Sequence, residues 1–130
     1  MTEAEIQKEL ARLLDNAGLL WSATANGGRR DKRTAASLKA QGVKRGLPDI
    51  LIFDACPSGV GCGLAIELKR PRSDGRQRGR VSDAQRVWLE GLRACGWRAE
   101  VAYGYDHALD ILESAGYQIF FEEDEYDDNH

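Results

Sequence analysis

The segment 48–69 constrains the fold more than any other part of this sequence. The run 49–54 holds four consecutive apolar residues, which is typical of a buried strand, and Pro48 fits only a strand start or edge because proline cannot donate to a central ladder. In 64–69, apolar residues alternate with Ala65, Glu67 and Lys69, which predicts a second strand with one apolar face. The Gly-rich turn 57–63 between them favours a hairpin.

The remaining elements follow from capping and periodicity. Thr2 with Glu5 forms a capping-box pattern that opens a helix ending near Gly18, and Ser82 with Gln85 opens another that runs to 95. Strands are predicted at 19–24, 97–103 and 117–121, with helices at 34–40 and 106–115. Residues 71–80 contain no apolar side chain and are predicted to be a mobile loop. This order predicts an α/β fold with a central mixed sheet flanked by helices.

Length and composition bound the broad class of protein. A chain of 130 residues suits one domain, which we expect to span 1–121, followed by an acidic, disordered tail at 122–130. No apolar run is long enough to cross a membrane and no signal peptide is visible, so a cytoplasmic location is expected. The odd count of three cysteines favours reduced thiols.

The net charge of −3 conceals two basic segments. The last nine residues carry six acids and no Lys or Arg, so the rest of the chain has 18 bases against 15 acids. Of those bases, 13 fall between Arg29 and Arg45 or between Lys69 and Arg80. Such clustering attracts a polyanion, although a charged run is more often only a solvated loop. The candidate nucleic-acid-binding residues are Arg29, Arg30, Lys32, Arg33, Lys44, Arg45, Arg70, Arg72, Arg76, Arg78 and Arg80.

Three residues of the predicted hairpin suggest a catalytic site. Glu67 and Lys69 leave the same face of one strand, and Asp49 approaches Glu67 if the strands pair. Two adjacent carboxylates repel each other unless a cation lies between them, and oxygen ligands suit Mg²⁺ or Mn²⁺. The backbone carbonyl of Leu68 is a candidate third ligand. The plain alternative is an ordinary hairpin with a surface Lys–Glu pair.

Two further side chains have competing interpretations. Gln85 is either a helix cap, an active-site group or both, because it occupies the capping-box position. Glu3 either contacts a metal through water or is part of a solvated helix start, and the second reading is favoured.

Five motifs in this order closely resemble the VRR-Nuc family of the PD-(D/E)xK nucleases: NGGRR (26–30), QGVKRGLPD (41–49), AIELKRP (65–71), SDAQ (82–85) and GW (96–97). The resemblance covers about 3–115. It implies a restriction-endonuclease-like core and Mg²⁺- or Mn²⁺-dependent DNA cleavage. Asp49, Glu67 and Lys69 match the family's catalytic residues, Gln85 the motif glutamine, and Glu3 falls near the first-helix acid. The arginine-rich segment after Lys69 and the acidic tail depart from the pattern.

Short members of this family are similar to Holliday junction resolvases, which act as homodimers. We therefore expect a homodimeric endonuclease acting on branched DNA, either four-way junctions or flaps. Two other classes stay open. One is a DNA-binding or structural subunit that has lost catalysis, and the other is a nuclease that cuts duplex DNA at a specific sequence or cuts RNA.

Overall fold

The computed structural model describes residues 1–25, 31–73 and 75–119 of the chain. Four helices and four strands lie within these ranges. In chain order they are α1 (Glu3–Asn16), β1 (Trp21–Ala23), α2 (Lys32–Ala40), β2 (Ile50–Ile52), β3 (Leu64–Lys69), α3 (Asp83–Ala94), β4 (Arg98–Tyr103) and α4 (Tyr105–Ala115).

The strands form one mixed sheet in the order β1-β2-β3-β4. β1 and β3 each pair antiparallel with β2, so the predicted hairpin is confirmed, while β3 and β4 run parallel. Ile50 lies opposite Ile66, and Lys69 lies opposite Tyr103. A mixed sheet flanked by helices confirms the α/β prediction.

Helices cover the sheet on both faces. On one face α1 and α4 pack over the apolar residues of β2 and β3, around Leu10, Ile52, Ile66 and Leu112. On the other face α3 packs through Leu89. The predicted apolar face of β3, with Leu64, Ile66 and Leu68, lies in this core. The opposite face of β3 is buried as well, because a central strand between two helical layers has no solvent face.

The segment 70–80, named the arm below, was predicted from 71 onward to be a mobile loop, but it folds back on itself. The Gly79 amide donates to the Arg70 carbonyl at 2.8 Å, and Ser73 and Arg76 exchange two backbone hydrogen bonds of 3.1 and 2.9 Å. Backbone pairing, rather than apolar contact, holds this segment, which explains why hydrophobic periodicity did not reveal it.

Several boundaries differ from those expected. α2 begins at Lys32 rather than at 34 because the Asp31 side chain accepts from the Thr34 amide and caps the helix. Residues 117–119 form no strand; the rest of the predicted last strand, the acidic tail, Arg29 and Arg30 lie outside the described residues. Cys56 is buried and Cys62 and Cys95 are exposed, and all three thiols are free.

No helix in the described ranges is long and apolar enough to cross a membrane.

Candidate active site

Asp49 and Glu67 meet where the β2–β3 ladder ends. The register that pairs Ile50 with Ile66 places these two acids opposite each other one step further along. The Asp49 Oδ2 accepts a 2.7 Å hydrogen bond from the Leu68 amide, so the carboxylate replaces the backbone acceptor that a longer β2 would supply. Asp49 is thereby fixed by the end of the sheet itself.

Glu67 is buried, with 3% of its surface exposed. Its Oε1 accepts from Gln85 Nε2 at 2.8 Å and lies 3.8 Å from Lys69 Nζ. Its Oε2 is buried and has no hydrogen-bond partner among the described residues. Buried polar atoms in folded proteins are nearly always paired, so this oxygen identifies a place where a ligand is expected.

The environment of Glu67 disfavours its ionised form. Burial raises the pKa of Glu67 from 4.5 to about 8, and the nearby Asp49 carboxylate raises it too, against the opposing effect of Lys69. Glu3 makes a smaller contribution in the same upward direction. A positive charge bound between the carboxylates would reverse this balance.

Gln85 combines both roles that its position suggested. Its side-chain Oε1 accepts from the backbone amide of Ser82 at 2.9 Å. The Ser82 hydroxyl accepts in turn from the backbone amide of Gln85, which completes the capping box of α3. The same side chain donates through Nε2 to Glu67. One residue therefore ties the start of α3 to the carboxylate on β3 and orients it.

Lys69 leaves β3 on the same side as Glu67, as predicted. Its side chain is 16% exposed, so the ammonium lies near the surface of the site rather than in bulk solvent. Among the described residues, Lys69 is the cation found in an ion pair with Glu67.

These residues line a cleft of about 870 Å³. Glu3, in the first turn of α1, lies on its wall. Residues of α2, which buries no side chain of its own, also line it, among them Lys39, together with the loop 43–47. Sequence reasoning missed Lys39 because a single lysine in a helix carries no distinguishing signal.

Gly46 joins the cleft loop to α3. Its φ is +89°, and a Cβ at this position would lie 2.6 Å from the Ala84 carbonyl carbon and 2.9 Å from the Gln85 nitrogen. Only glycine allows such an approach of backbone to backbone. The loop that precedes Asp49 is thus packed directly on the first turn of α3.

The donor atoms at this site fit a hard divalent cation. Only two of them come from acidic side chains, and the described residues contain no group of three or more Asp, Glu, His or Cys side chains that could hold a metal. The two carboxylates would therefore be completed by a strand carbonyl and waters, which together form an oxygen shell of the kind Mg²⁺ or Mn²⁺ prefers. In a strand the amide and carbonyl of a residue point the same way, so the Leu68 carbonyl points toward Asp49, as its amide does.

The basic residues divide into groups by position. Lys32 and Arg33 are exposed in the first turn of α2, while Lys44 and Arg45 line the cleft. The arm carries the other five, of which Arg70 donates to the Gln77 carbonyl and Arg78 lies over the Tyr103 ring. Arg72, Arg76 and Arg80 are exposed.

Comparison with known proteins gives a consistent result. The family model described as the VRR-NUC domain matches residues 1–106. A solved structure described as a VRR_NUC domain protein is similar to this chain with a TM-score of 0.69 and 27% sequence identity, over 89% of this chain and 88% of its own. No curated protein gives a significant match.

Proposed function

This chain belongs to the VRR-NUC family, a family of nucleases, and from that membership we propose that it is a metal-dependent endonuclease acting on branched DNA, either four-way junctions or flaps. The observation that carries the proposal is the buried Oε2 of Glu67, which has no hydrogen-bond partner among the described residues and lies near Asp49 in a cleft with basic walls. An ordinary surface Lys–Glu pair would be exposed and would leave no buried oxygen without a partner.

In the proposed mechanism, Asp49, Glu67 and the Leu68 carbonyl would hold Mg²⁺ or Mn²⁺, and Glu3, on the wall of the cleft, would contribute through water. When bound, such an ion lowers the pKa of a water and stabilises negative charge on a phosphate. Leu68 fixes Asp49 through its amide, and Gln85 fixes one oxygen of Glu67, so that the other oxygen is available to the ion. The two carboxylates are then preorganised before substrate arrives.

Lys69 acts on the substrate side of this arrangement. Its ammonium lies 3.8 Å from Glu67 Oε1 at the mouth of the site, so it would orient the attacking water or stabilise charge that develops on the phosphate. Gln85 contacts Glu67 directly and would act as a positioning residue.

The substrate is proposed to be held by its backbone. Lys44 and Arg45 line the cleft, Lys32 and Arg33 begin its α2 wall, and Arg29 and Arg30 precede them in the chain. Phosphate contacts position a nucleic acid without reading its sequence, which favours recognition of DNA shape over recognition of a sequence.

A homodimer would suit a symmetric junction because a two-fold axis presents two equivalent active sites. An uncovered part of the sheet supports this proposal. Leu20 and Phe53 are 67% and 46% exposed, and the Phe53 ring meets Trp97 edge-on at the margin of the cluster that α3 covers. Apolar side chains grouped in this way are typical of an interface.

Cleavage assays test the proposal. Labelled four-way junction, flap and linear duplex DNA would be incubated with Mg²⁺, Mn²⁺ or EDTA. We expect metal-dependent cutting at a fixed position relative to the branch, lost by at least about 100-fold in Glu67→Gln and Lys69→Ala. Glu90→Gln, an exposed acid of α3, is the matched control and should cut as the parent does.

Three outcomes would contradict the proposal in different ways. Branch-selective binding without cutting would favour the inactive DNA-binding subunit. Cutting that follows one sequence in every substrate would favour a sequence-specific nuclease. Cutting of RNA alone would change the substrate class while keeping the active site.

A further inference from the structure

The arm connects two parts of the proposed active site. It begins directly after Lys69 on β3 and leads to Ser82, the cap of the helix that carries Gln85. Five of its eleven residues are arginine and one is acidic. Its direction therefore decides where a dense positive charge lies relative to the cleft.

The base of the arm is packed on the site. Gly79 donates to the Arg70 carbonyl, and a Cβ on Gly79 would lie 3.3 Å from the Cβ of Lys69. Pro71 packs against Gly104, where an added Cβ would lie 3.3 Å from the proline ring. The two chain segments of the arm are thus held together beside the lysine and the start of α4.

An aromatic ring holds the arm further out. Tyr103 ends β4 opposite Lys69, and the Arg78 guanidinium carbon lies 4.6 Å from the centroid of its ring. His107 supports this tyrosine from α4: its Nδ1 accepts from the Tyr103 amide at 2.9 Å, and the two rings are nearly parallel, 10° apart, with centroids separated by 6.0 Å. A guanidinium over an aromatic face is attracted by the negative face of the ring, which favours this placement of Arg78.

The arginines of the arm consequently have two different tasks. Arg70, which donates twice to the Gln77 carbonyl, and Arg78 hold the arm in its conformation. Arg72, Arg76 and Arg80 are exposed and make no ion pair with a described residue. Arginine binds phosphate with two parallel hydrogen bonds, so these three side chains suit a nucleic-acid backbone.

We propose that the Tyr103 ring positions the arm so that Arg72, Arg76 and Arg80 grip the phosphate backbone of DNA beside the active site. This inference rests on the proposed DNA nuclease and deepens it. Tyr103 is a positioning residue, and Arg78 is its partner rather than a phosphate ligand. The arm would contact nucleotides outside the cleft, where a branch departs from the strand being cut.

The test compares Tyr103→Leu with its matched control Tyr103→Phe, which keeps the aromatic face. Binding of junction DNA would be measured in EDTA at several salt concentrations, beside Arg72→Gln/Arg76→Gln/Arg80→Gln and the combination of this triple variant with Tyr103→Leu. Trypsin cleavage within the arm would be followed without DNA. Far-UV circular dichroism would establish that each variant is folded.

We expect Tyr103→Phe to behave as the parent. Tyr103→Leu should be cut in the arm about two- to five-fold faster and bind DNA about two- to five-fold more weakly, with a nearly unchanged salt slope because all phosphate ligands remain. The triple variant should lower the salt slope by up to about 3. Adding Tyr103→Leu to it should cause no further loss of affinity, since the anchored ligands are already gone.

Equal trypsin protection in Tyr103→Leu and Tyr103→Phe would overturn the inference. So would losses of affinity that add independently in the combined variant, because Tyr103 would then act through the fold in general. An unchanged salt slope in the triple variant would show that the arm contacts no phosphate. If the parent binds no DNA at all, the proposed function fails, whereas normal binding and cutting by every arm variant would refute only this inference.

Discussion

At the floor of the cleft, Glu67 is held where an ionised carboxylate is disfavoured by burial and by Asp49. The fold keeps it there through Gln85, which donates to one oxygen, while the other oxygen has no partner in the described part of the chain. Such an arrangement lowers the stability of the metal-free protein, and it is consistent with a residue retained for binding rather than for packing.

The first prediction concerns the pH dependence of stability without metal. With a pKa of about 8 folded and 4.5 unfolded, Glu67 keeps its proton in the native state over a range where the unfolded chain loses it. The free energy of unfolding should therefore fall as pH rises from about 4.5 to about 8. Glu67→Gln removes this titration and should exceed the parent by at least about 1 kcal/mol at pH 8 in EDTA.

Urea denaturation at pH 4.5 and pH 8 measures this difference. The advantage of Glu67→Gln should nearly vanish at pH 4.5, where the native carboxyl keeps its proton and only half of the unfolded chains have lost theirs. Glu90→Gln, an exposed substitution on α3, controls for the general loss of an acid. A parent that is as stable as Glu67→Gln at pH 8 would contradict the prediction.

The second prediction is that added metal raises the stability that the ionised Glu67 carboxylate lowers in the first. An ion that binds only the native site stabilises it by mass action, by about 2.7 kcal/mol at one hundred times its dissociation constant. Mg²⁺ or Mn²⁺ should raise the Tm of the parent and leave Glu67→Gln and Asp49→Asn nearly unchanged, as followed by thermal melts. Equal shifts in all three proteins would indicate that the ion binds elsewhere.

At the scale of elements, the site depends on contacts between segments that are far apart in sequence. Gly46 belongs to the loop before β2, yet it touches the first turn of α3, which carries Gln85.

The third prediction is that Gly46→Ala lowers stability by about 1 to 3 kcal/mol or more, because positive φ and the clash with Ala84 both act against it. Cleavage should fall further than the loss of folded protein explains, since Gln85 is displaced.

Gly42→Ala is the matched control for this prediction. Gly42 also has a positive φ, +99°, but an added Cβ would meet nothing within 4 Å. It should lose stability through backbone strain and keep its activity. Melting curves and cleavage rates, measured at a temperature where both variants are folded, separate the two effects. Equal activity in both would mean that the Gly46 contact does not position α3.

The comparison of elements shows how far sequence reasoning reached and where it stopped. The capping boxes at Thr2 and Ser82, and the alternation in β3, are local signals, and the structure has α1, α3 and β3 at those positions. The approach of Asp49 to Glu67 also followed from a single hairpin. The burial of Glu67 did not, because α3 covers it from another part of the chain.

The arm and Tyr103 were missed for a related reason. Backbone hydrogen bonds between Arg70 and Gly79 leave no periodicity in the side chains, and the segment reads as polar and glycine-rich. Tyr103 looked like an ordinary strand residue, because its significance depends on Arg78 lying over its ring. Contacts between chemically different side chains of distant elements have no signature in a single sequence.

At the scale of the whole molecule, the sheet is covered unevenly. α1 and α4 cover one face, whereas α3 lies over β3 and β4 on the other and leaves Leu20 and Phe53 exposed beside it.

The exposed pair Leu20 and Phe53 supports a second copy docking on this face, and the fourth prediction follows from it. Light scattering should give a mass of twice the 14.4 kDa of one chain at micromolar concentration. Phe53→Lys should shift the mass toward that of one chain, because a buried, unpaired charge is costly at an interface. Val60→Lys, which places the same charge on an exposed apolar residue of the turn between β2 and β3, should leave the mass unchanged.

The proposed dimer also leads to a prediction about cleavage, which separates the effect of assembly from that of the active site. If two sites related by a two-fold axis act on one junction, Phe53→Lys should still bind metal, as judged by the Mg²⁺ or Mn²⁺ shift in its Tm, but should lose paired incisions on opposite strands. A parent mass of one chain would exclude the dimer, while unchanged paired incision by a monomeric Phe53→Lys would show that each chain cuts alone. Because the carboxylates lie at the opposite end of β2 from Phe53, a general collapse of the active site would appear instead as loss of the metal-induced Tm shift.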